Sequence, residues 1–119
     1  MGFAERFEDL RIWQDARTLA NGIYDAVRGL KDFAFKDQIQ SAAVSVMNNI
    51  AEGFERRTKK DFAHFLDLAK GSAGEVRSML YLAEDRGYLV AGEAVGLRVK
   101  YEQLCHAIGA LASKLRKNT

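Results

Sequence analysis

The chain has 119 residues, of which 48% are hydrophobic and 29% are charged, and its formal net charge is +2. This length fits one domain with a single core, and this balance of residue types excludes a disordered chain. Proline is absent, although an average chain of this length contains about six, so we expect long helices joined by short turns.

Four amphipathic helices are predicted along the chain. Apolar residues recur at spacings of three and four over about residues 9–28, 36–52, 59–86 and 93–116. No alternating pattern of useful length predicts a strand. Because short connections force neighbouring helices to run antiparallel, the sequence predicts an all-α, antiparallel up-down-up-down four-helix bundle. We expect a single four-helix-bundle domain over residues 1–119, without linker or internal repeat.

Glycine and threonine residues mark the expected ends of these helices. Gly29 and Gly53 are placed to end the first two helices, since glycine adopts the left-handed conformation without a Cβ clash. Thr58 is placed to cap the third helix, with Asp61 reaching back as in a capping box. The third helix is expected to end before Gly87.

The apolar faces of the first two helices are wider than one bundle core requires. The first helix spreads its apolar side chains over about 160°, whereas a little over ~100° is usual. We interpret the excess, which includes Trp13, Tyr24 and Val27, as a surface buried between the subunits of a homo-oligomer. The alternative is that small alanine side chains inflate the arc.

One side of the second helix carries polar residues that are almost all uncharged. Its members are Gln38, Ser41, Ser45, Asn49 and Glu52. Neutral polar side chains suit places where hydrogen bonds cross between packed surfaces. We expect Asn49 and Glu52 to hydrogen-bond a neighbouring helix, and direct contact with a ligand is the alternative.

Small residues interrupt the third helix at Gly71, Ser72 and Gly74. Each glycine costs roughly 1 kcal/mol relative to alanine inside a helix. We expect the compensation to be a close approach by another helix. Glu75 would then lie beside this crossing and need a hydrogen-bonding partner.

No pattern of residues predicts catalysis, a metal or a cofactor. His64 has Asp61 and Asp67 three residues to either side, but two candidate ligands do not make a metal site, and a surface histidine is the preferred interpretation. Cys105 is interpreted as a small core residue. We therefore expect a protein that is not an enzyme and holds no cofactor.

The lone Cys105 excludes an intramolecular disulfide and suits a reducing compartment. The first residues form no signal-peptide core, and no apolar run approaches the length that spans a membrane. We expect a cytoplasmic protein without a membrane partner.

The strongest electrostatic feature is a run of four bases in the second loop, formed by Arg56, Arg57, Lys59 and Lys60. In an up-down bundle this loop shares one end with both termini. Residues 1–11, 54–61 and 112–119 together hold nine Lys and Arg against five Asp and Glu, a net charge of +4. Such an end attracts the phosphates of RNA or DNA without reading their sequence. The alternative is a solubility feature, since no aromatic residue is interleaved in the run to stack on bases.

Nearly the whole chain resembles a known family, the 23S rRNA intervening-sequence proteins. The most specific part is the run Ser45-Val46-Met47-Asn48-Asn49-Ile50-Ala51-Glu52-Gly53, and the next are Gly71, Ser72 and Glu75. The resemblance implies an antiparallel four-helix bundle that associates into a pentameric ring. It extends to the accessory variability determinant of diversity-generating retroelements, which looks like a basic pentamer that binds nucleic acid and a reverse transcriptase.

The expected function is that of a non-enzymatic, homo-oligomeric bundle, most simply a pentamer, that binds RNA or DNA through its basic end. The alternative is a scaffold that binds another protein and no nucleic acid. The modest net charge and the neutral polar side of the second helix favour this alternative.

Overall fold

A computed structural model describes residues 4–118, in which a short 3₁₀ turn and four α-helices follow one another. The helices are α1 (Arg11–Ala26), α2 (Phe33–Phe54), α3 (Lys59–Asp85) and α4 (Ala91–Lys117), and the 3₁₀ turn is Phe7–Asp9. Residues 1–3 and 119, where the predicted domain begins and ends, lie outside the described residues. The number, order and type of the predicted elements are confirmed.

Each helix packs against the helix before and after it in the chain, and α1 and α4 close the square. The bundle measures 46 × 19 × 19 Å, which fits helices of 27 residues that are each about 40 Å long. The arrangement is the predicted antiparallel four-helix bundle. Its two ends differ, because one holds the α2–α3 loop and the other holds the α1–α2 and α3–α4 loops.

The predicted apolar faces meet along the axis of the bundle and form its core. The largest fully buried side chains are Tyr101, Leu10, Ile23, Ile39, Ile50, Leu66, Leu80, Ile108, Val27, Val46 and Val76. Alanines of all four helices fill the spaces between them, so these helices pack closely. Val27 was predicted to lie between subunits, and that prediction is wrong, because its side chain is fully buried in the core of the bundle.

Side-chain caps determine where α2 and α3 begin. The N–H of Asp61 donates to Thr58 Oγ1 at 3.0 Å, which confirms the threonine part of the predicted cap. The N–H of Phe35 donates to Asp32 Oδ1 at 3.1 Å, so α2 begins at Phe33, three residues earlier than predicted. Tyr88 donates to the other oxygen of Asp32 at 2.7 Å, which joins the two loops at that end. These hydrogen bonds, from Tyr88 first and Phe35 second, lower the pKa of Asp32.

Only one of the three helix-ending glycines has the expected role. Gly87 follows α3 with φ +70°, and its N–H donates to the Glu84 carbonyl at 3.0 Å. The two other predictions are wrong. No other described residue has a positive φ, so Gly29 does not end α1 in the left-handed conformation, and Gly53 lies inside α2.

Tyr101 of α4 is fully buried, and its hydroxyl has no hydrogen-bond partner among residues 4–118. Burial raises the pKa of the Tyr101 phenol above its ordinary value of 10.0. A buried polar group left without a partner costs about 1–3 kcal/mol. The ring therefore stabilises the core, whereas its hydroxyl destabilises it.

We predict that Tyr101→Phe raises the free energy of unfolding by about 1 kcal/mol at neutral pH. The difference from the native chain should grow above pH about 10, because there the unfolded chain loses the phenolic proton while the buried phenol keeps it. Urea denaturation at neutral and alkaline pH measures both effects. Tyr81→Phe is the matched control, since Tyr81 is 58% exposed and its substitution should change neither quantity. A loss of stability in Tyr101→Phe would contradict the assignment.

Candidate nucleic-acid interface

The α2–α3 loop, residues 55–58, lies beside the C-terminus of α4. Lys59 Nζ donates to the Asn118 carbonyl at 3.5 Å, and Leu115 of α4 lines the same surface as the loop. The loop is short because α2 continues to Phe54 and Thr58 caps the next helix. The bases of the loop and those of the last helical turn therefore share one end of the bundle, which we call the basic end.

Ion pairs reduce the charge of the basic end below the value obtained by counting residues. Three of its arginines pair with acids that lie farther along the helices. These pairs are Arg11 with Asp15, Arg56 with Glu52, and Arg116 with Asp67. The hydrogen bonds from Arg116 lower the pKa of Asp67. The excess of +4 in the three segments is thus largely offset by neighbouring carboxylates.

Arg56 is held in place by two contacts. Its Nη2 donates to Glu52 Oε1 at 3.1 Å, and its guanidinium carbon lies 4.6 Å from the centre of the Phe65 ring. A cation over an aromatic face is attracted by about 0.5–1 kcal/mol at exposed sites. The positive charge of Arg56 is therefore less available to a ligand than the charges of the three other bases in the run.

The other three bases of the run are exposed and form no ion pair within residues 4–118. They are Arg57, Lys59 and Lys60. All three lie at the N-terminus of α3, where the aligned peptide dipoles add a partial positive charge. Their charge is therefore available to an anionic partner.

An open depression of about 230 Å³ lies at the basic end. Its apolar part consists of Phe54, Phe62 and Leu115, and the rings of Phe54 and Phe62 meet edge to face with centres 5.9 Å apart. Its polar part consists of Arg56, Arg57, Thr58 and Lys59. This aromatic component was not predicted from the sequence, although Phe54 and Phe62 flank the basic run closely on both sides.

The candidate catalytic and ligand groups do not gather into a site. No group of three or more His, Cys, Asp or Glu side chains could hold a metal within residues 4–118. His64 is exposed, as predicted for a surface histidine. Cys105 is buried, its Sγ lies 3.9 Å from the Lys70 carbonyl oxygen, and burial raises the pKa of its thiol. No helix in the described part of the chain has the length and apolarity that a membrane span requires.

Most exposed apolar side chains lie outside the surface predicted for self-association. Trp13 is half-buried against Phe7, with ring centres 5.1 Å apart, whereas Tyr24 is 43% exposed. The large exposed apolar side chains on α3 and α4 are Leu68, Tyr81, Leu82, Val95 and Val99. Sequence periodicity did not indicate them, because they stand outside the main apolar stripe of each helix.

Comparison with known proteins decides the family. A family model described as 23S rRNA-intervening sequence protein matches residues 8–110. The chain belongs to this family. The resemblance in the sequence is therefore confirmed.

A solved structure is similar in fold. It is a protein of unknown function from the S23 ribosomal protein family of Bacteroides thetaiotaomicron, with a TM-score of 0.79 and 20% sequence identity. The similarity covers 85% of this chain and 97% of the other. No curated protein matches the chain in sequence. At this identity the likeness supports the bundle fold alone.

The residues that carry the family resemblance join α2 to α3. Ser45 Oγ and Ser72 Oγ lie 2.8 Å apart and share a hydrogen bond. Gln38 Nε2 donates to Glu75 Oε2 at 3.1 Å, so Glu75 has the partner that its position requires. Gly53 allows the helices to approach each other closely, since a Cβ there would lie 2.7 Å from the Cβ of Phe65.

Other motif residues differ from their predicted roles. Asn49 Nδ2 donates to the carbonyl and the hydroxyl of Ser45, on its own helix. Glu52 accepts from Arg56 rather than from a neighbouring helix. A Cβ added at Gly71 or Gly74 would meet no atom of another helix within 4 Å among the described residues. The subunit therefore gives a packing reason for Gly53 but none for Gly71 and Gly74.

We predict that Ser72→Ala lowers the free energy of unfolding by about 1 kcal/mol relative to Ser78→Ala. Both substitutions gain the same helix propensity, and Ser78 is exposed and its side chain forms no hydrogen bond with the residues that the structure describes. Their difference therefore isolates the hydroxyl contact with Ser45. Thermal or urea denaturation measures it. Equal stabilities would mean that the contact between the helices contributes nothing.

Proposed function

We propose that this chain is a non-enzymatic, cytoplasmic, homo-oligomeric bundle protein whose basic end binds the phosphate backbone of RNA or DNA. The observation that carries the proposal is the group of exposed basic side chains at the start of α3, those of Arg57, Lys59 and Lys60, which form no ion pair within residues 4–118. Basic side chains that lie within a Debye length of one another act jointly on a polyanion. Because these side chains would contact phosphates and not base edges, the proposed binding is independent of base sequence.

The charge distribution along the bundle supports this orientation. At the opposite end, residues 25–37 and 84–93 hold four Lys and Arg against six Asp and Glu, a net charge of −2, which the ion pair of Glu84 with Arg98 partly offsets. A polyanion is therefore drawn to the basic end and repelled from the other. A net charge of only +2 for the whole chain hides this difference.

Self-association is part of the proposal, and a ring would place several basic ends on one face. Exposed apolar side chains such as Tyr24 and Leu82, 43% and 47% exposed, support a surface that is covered by another subunit. Linked sites raise the overall affinity by 10²- to 10⁴-fold without any new contact. Weak phosphate contacts on each subunit can then hold a long nucleic acid.

We predict that the native protein retains RNA and DNA in filter binding at low salt. If each subunit contacts three phosphates of duplex DNA, affinity should fall by about 40-fold between about 50 and 200 mM salt. Replacing the four bases of the run by serine should abolish retention. The bundle should stay folded, because all four side chains are exposed.

The matched control removes four charges at the opposite end by changing Arg28, Lys31, Lys36 and Arg86 to serine. This variant has the same net charge as the first and should retain nucleic acid like the native protein. If both variants lose binding equally, the attraction comes from net charge and not from the basic end. If the native protein retains nothing at low salt, phosphate binding is refuted.

We predict that light scattering at micromolar concentration gives about five times the subunit mass of 13.3 kDa. Tyr24→Arg places a charge on an exposed apolar position and should lower this mass if the residue lies in the interface. Thr18→Arg, on another side of α1, is the matched control. A monomeric mass for the native protein would refute self-association.

A second candidate function is a scaffold that binds another protein. A shallow groove of about 460 Å³ runs along α2 and is lined mostly by neutral polar side chains. Its residues are Tyr24, Ser41, Val44, Ser45, Asn48, Asn49 and Glu52. Capture of a partner from nuclease-treated lysate by a protein that retains no nucleic acid would favour the scaffold. A partner lost on nuclease treatment would favour the nucleic-acid proposal.

A further inference from the structure

We propose that the depression at the basic end receives one unstacked nucleobase, so that the site prefers single-stranded to duplex nucleic acid. The inference rests on the proposed function and adds to it a ligand class. Phosphate contacts alone favour the duplex, which has the higher charge density. A site that also takes an unstacked base favours the single strand.

The depression has the composition that a nucleotide requires. Phe54 is half-buried at its edge, whereas Phe62 and Leu115 form its floor and are only 5% and 3% exposed. Phe54 is therefore the ring that a base can reach, beside the cationic side chains of Arg57 and Lys59. Proteins that bind single strands combine a basic surface for the backbone with aromatic side chains that contact the bases. Both components occur here within one surface feature rather than on separate faces.

The size of the depression limits what it can hold. Pockets for whole drug-sized molecules have volumes of roughly 300–1,000 Å³, and this one has about 230 Å³. It therefore suits a single ring system and is too small for a complete nucleotide or a peptide segment. The sugar and phosphate of a bound nucleotide remain outside the depression, beside the exposed basic side chains of Arg57 and Lys59.

The polar groups at the depression can hydrogen-bond a nucleobase or bind its phosphate. Thr58 Oγ1 accepts the N–H of Asp61 at 3.0 Å, so the hydroxyl proton remains free to donate to a base carbonyl or a phosphate oxygen. Arg56 is held by Glu52 and Phe65. Arg57 has no ion pair within the described part of the chain and is free to reach phosphate.

Strand geometry supplies the selectivity. In a duplex the bases are stacked and paired, and their faces are not accessible to a protein side chain. Unpaired bases in single strands and loops can be splayed out and stacked on aromatic rings. The depression thus acts only on single-stranded segments, whereas Lys59 and Lys60 act on the phosphates of either form.

The test compares three probes with equal numbers of phosphates per strand: a single-stranded oligothymidine, the same backbone with abasic residues, and a duplex. The native protein should bind the oligothymidine roughly 10-fold more tightly than the abasic strand at the same salt, and more tightly than the duplex. A duplex bound as tightly as the oligothymidine overturns the preference for single strands. Equal affinity for the oligothymidine and the abasic strand overturns the base site and leaves phosphate binding intact. No retention of any probe at low salt overturns both.

A variant separates the aromatic contribution from folding. Phe54→Leu keeps an apolar side chain at the end of α2 but removes a ring, and it should weaken oligothymidine binding roughly 10-fold while abasic binding stays unchanged. Phe33→Leu is the matched control, because Phe33 is 65% exposed at the opposite end. Melting temperatures of both variants report their folding. Oligothymidine binding by folded Phe54→Leu at the native affinity would refute the proposal.

Discussion

At Gly53 the backbone of α2 comes so close to α3 that a Cβ atom there would lie 2.7 Å from Phe65 Cβ and 3.0 Å from Phe62 Cδ1. Only a residue without a side chain permits this approach. The basic end depends on it, because the same two phenylalanines contact Phe54 and Arg56. One glycine therefore permits the helix contact that brings Phe62 to Phe54 and Phe65 to Arg56.

Electrostatics at this end are determined by pairing rather than by composition. Asp15, Glu52 and Asp67 lie outside the loop and the termini, yet each meets an arginine of the basic end. Exposed pairs of this kind contribute about 0–1 kcal/mol to stability, so their main effect is on the local potential. What remains is a small cationic group at the start of α3, beside an apolar depression. Such a surface can attract an anionic ligand by its charge and hold an apolar ring in its depression.

The sequence was sufficient for the fold because the helical period, the lack of proline and the short connections all favour one topology. It was less informative about the ends of helices and about side-chain contacts. Asp32 caps α2 because its carboxylate accepts a hydrogen bond from the N–H of Phe35. This cap lets α2 begin at Phe33, although the apolar periodicity alone predicted a start near residue 36. Val27 stands on the wider part of an apolar arc, and periodicity alone cannot tell a core position from an interface.

The candidate site divides in the same way. The basic run is visible in the sequence because its four members are consecutive but for Thr58. Leu115 lies far from that run along the chain, near the end of α4. It lines the depression only because α4 runs back to the same end of the bundle. The pairing of Arg56 with Glu52 and Phe65 likewise depends on how α2 and α3 are rotated against each other, which periodicity does not define.

Gly71 and Gly74 are where a single subunit explains the sequence least. Each costs roughly 1 kcal/mol relative to alanine in a helix interior, and neither is closely approached by another described helix. The adjoining surface of α3 exposes Leu68 and Leu82, three residues before Gly71 and eight after Gly74. Two unfavourable glycines beside exposed leucines have a physical reason if another backbone packs against them in an assembly. If the proposed self-association occurs, the α3 surface is therefore better suited to it than Trp13, which already packs on Phe7 within the bundle.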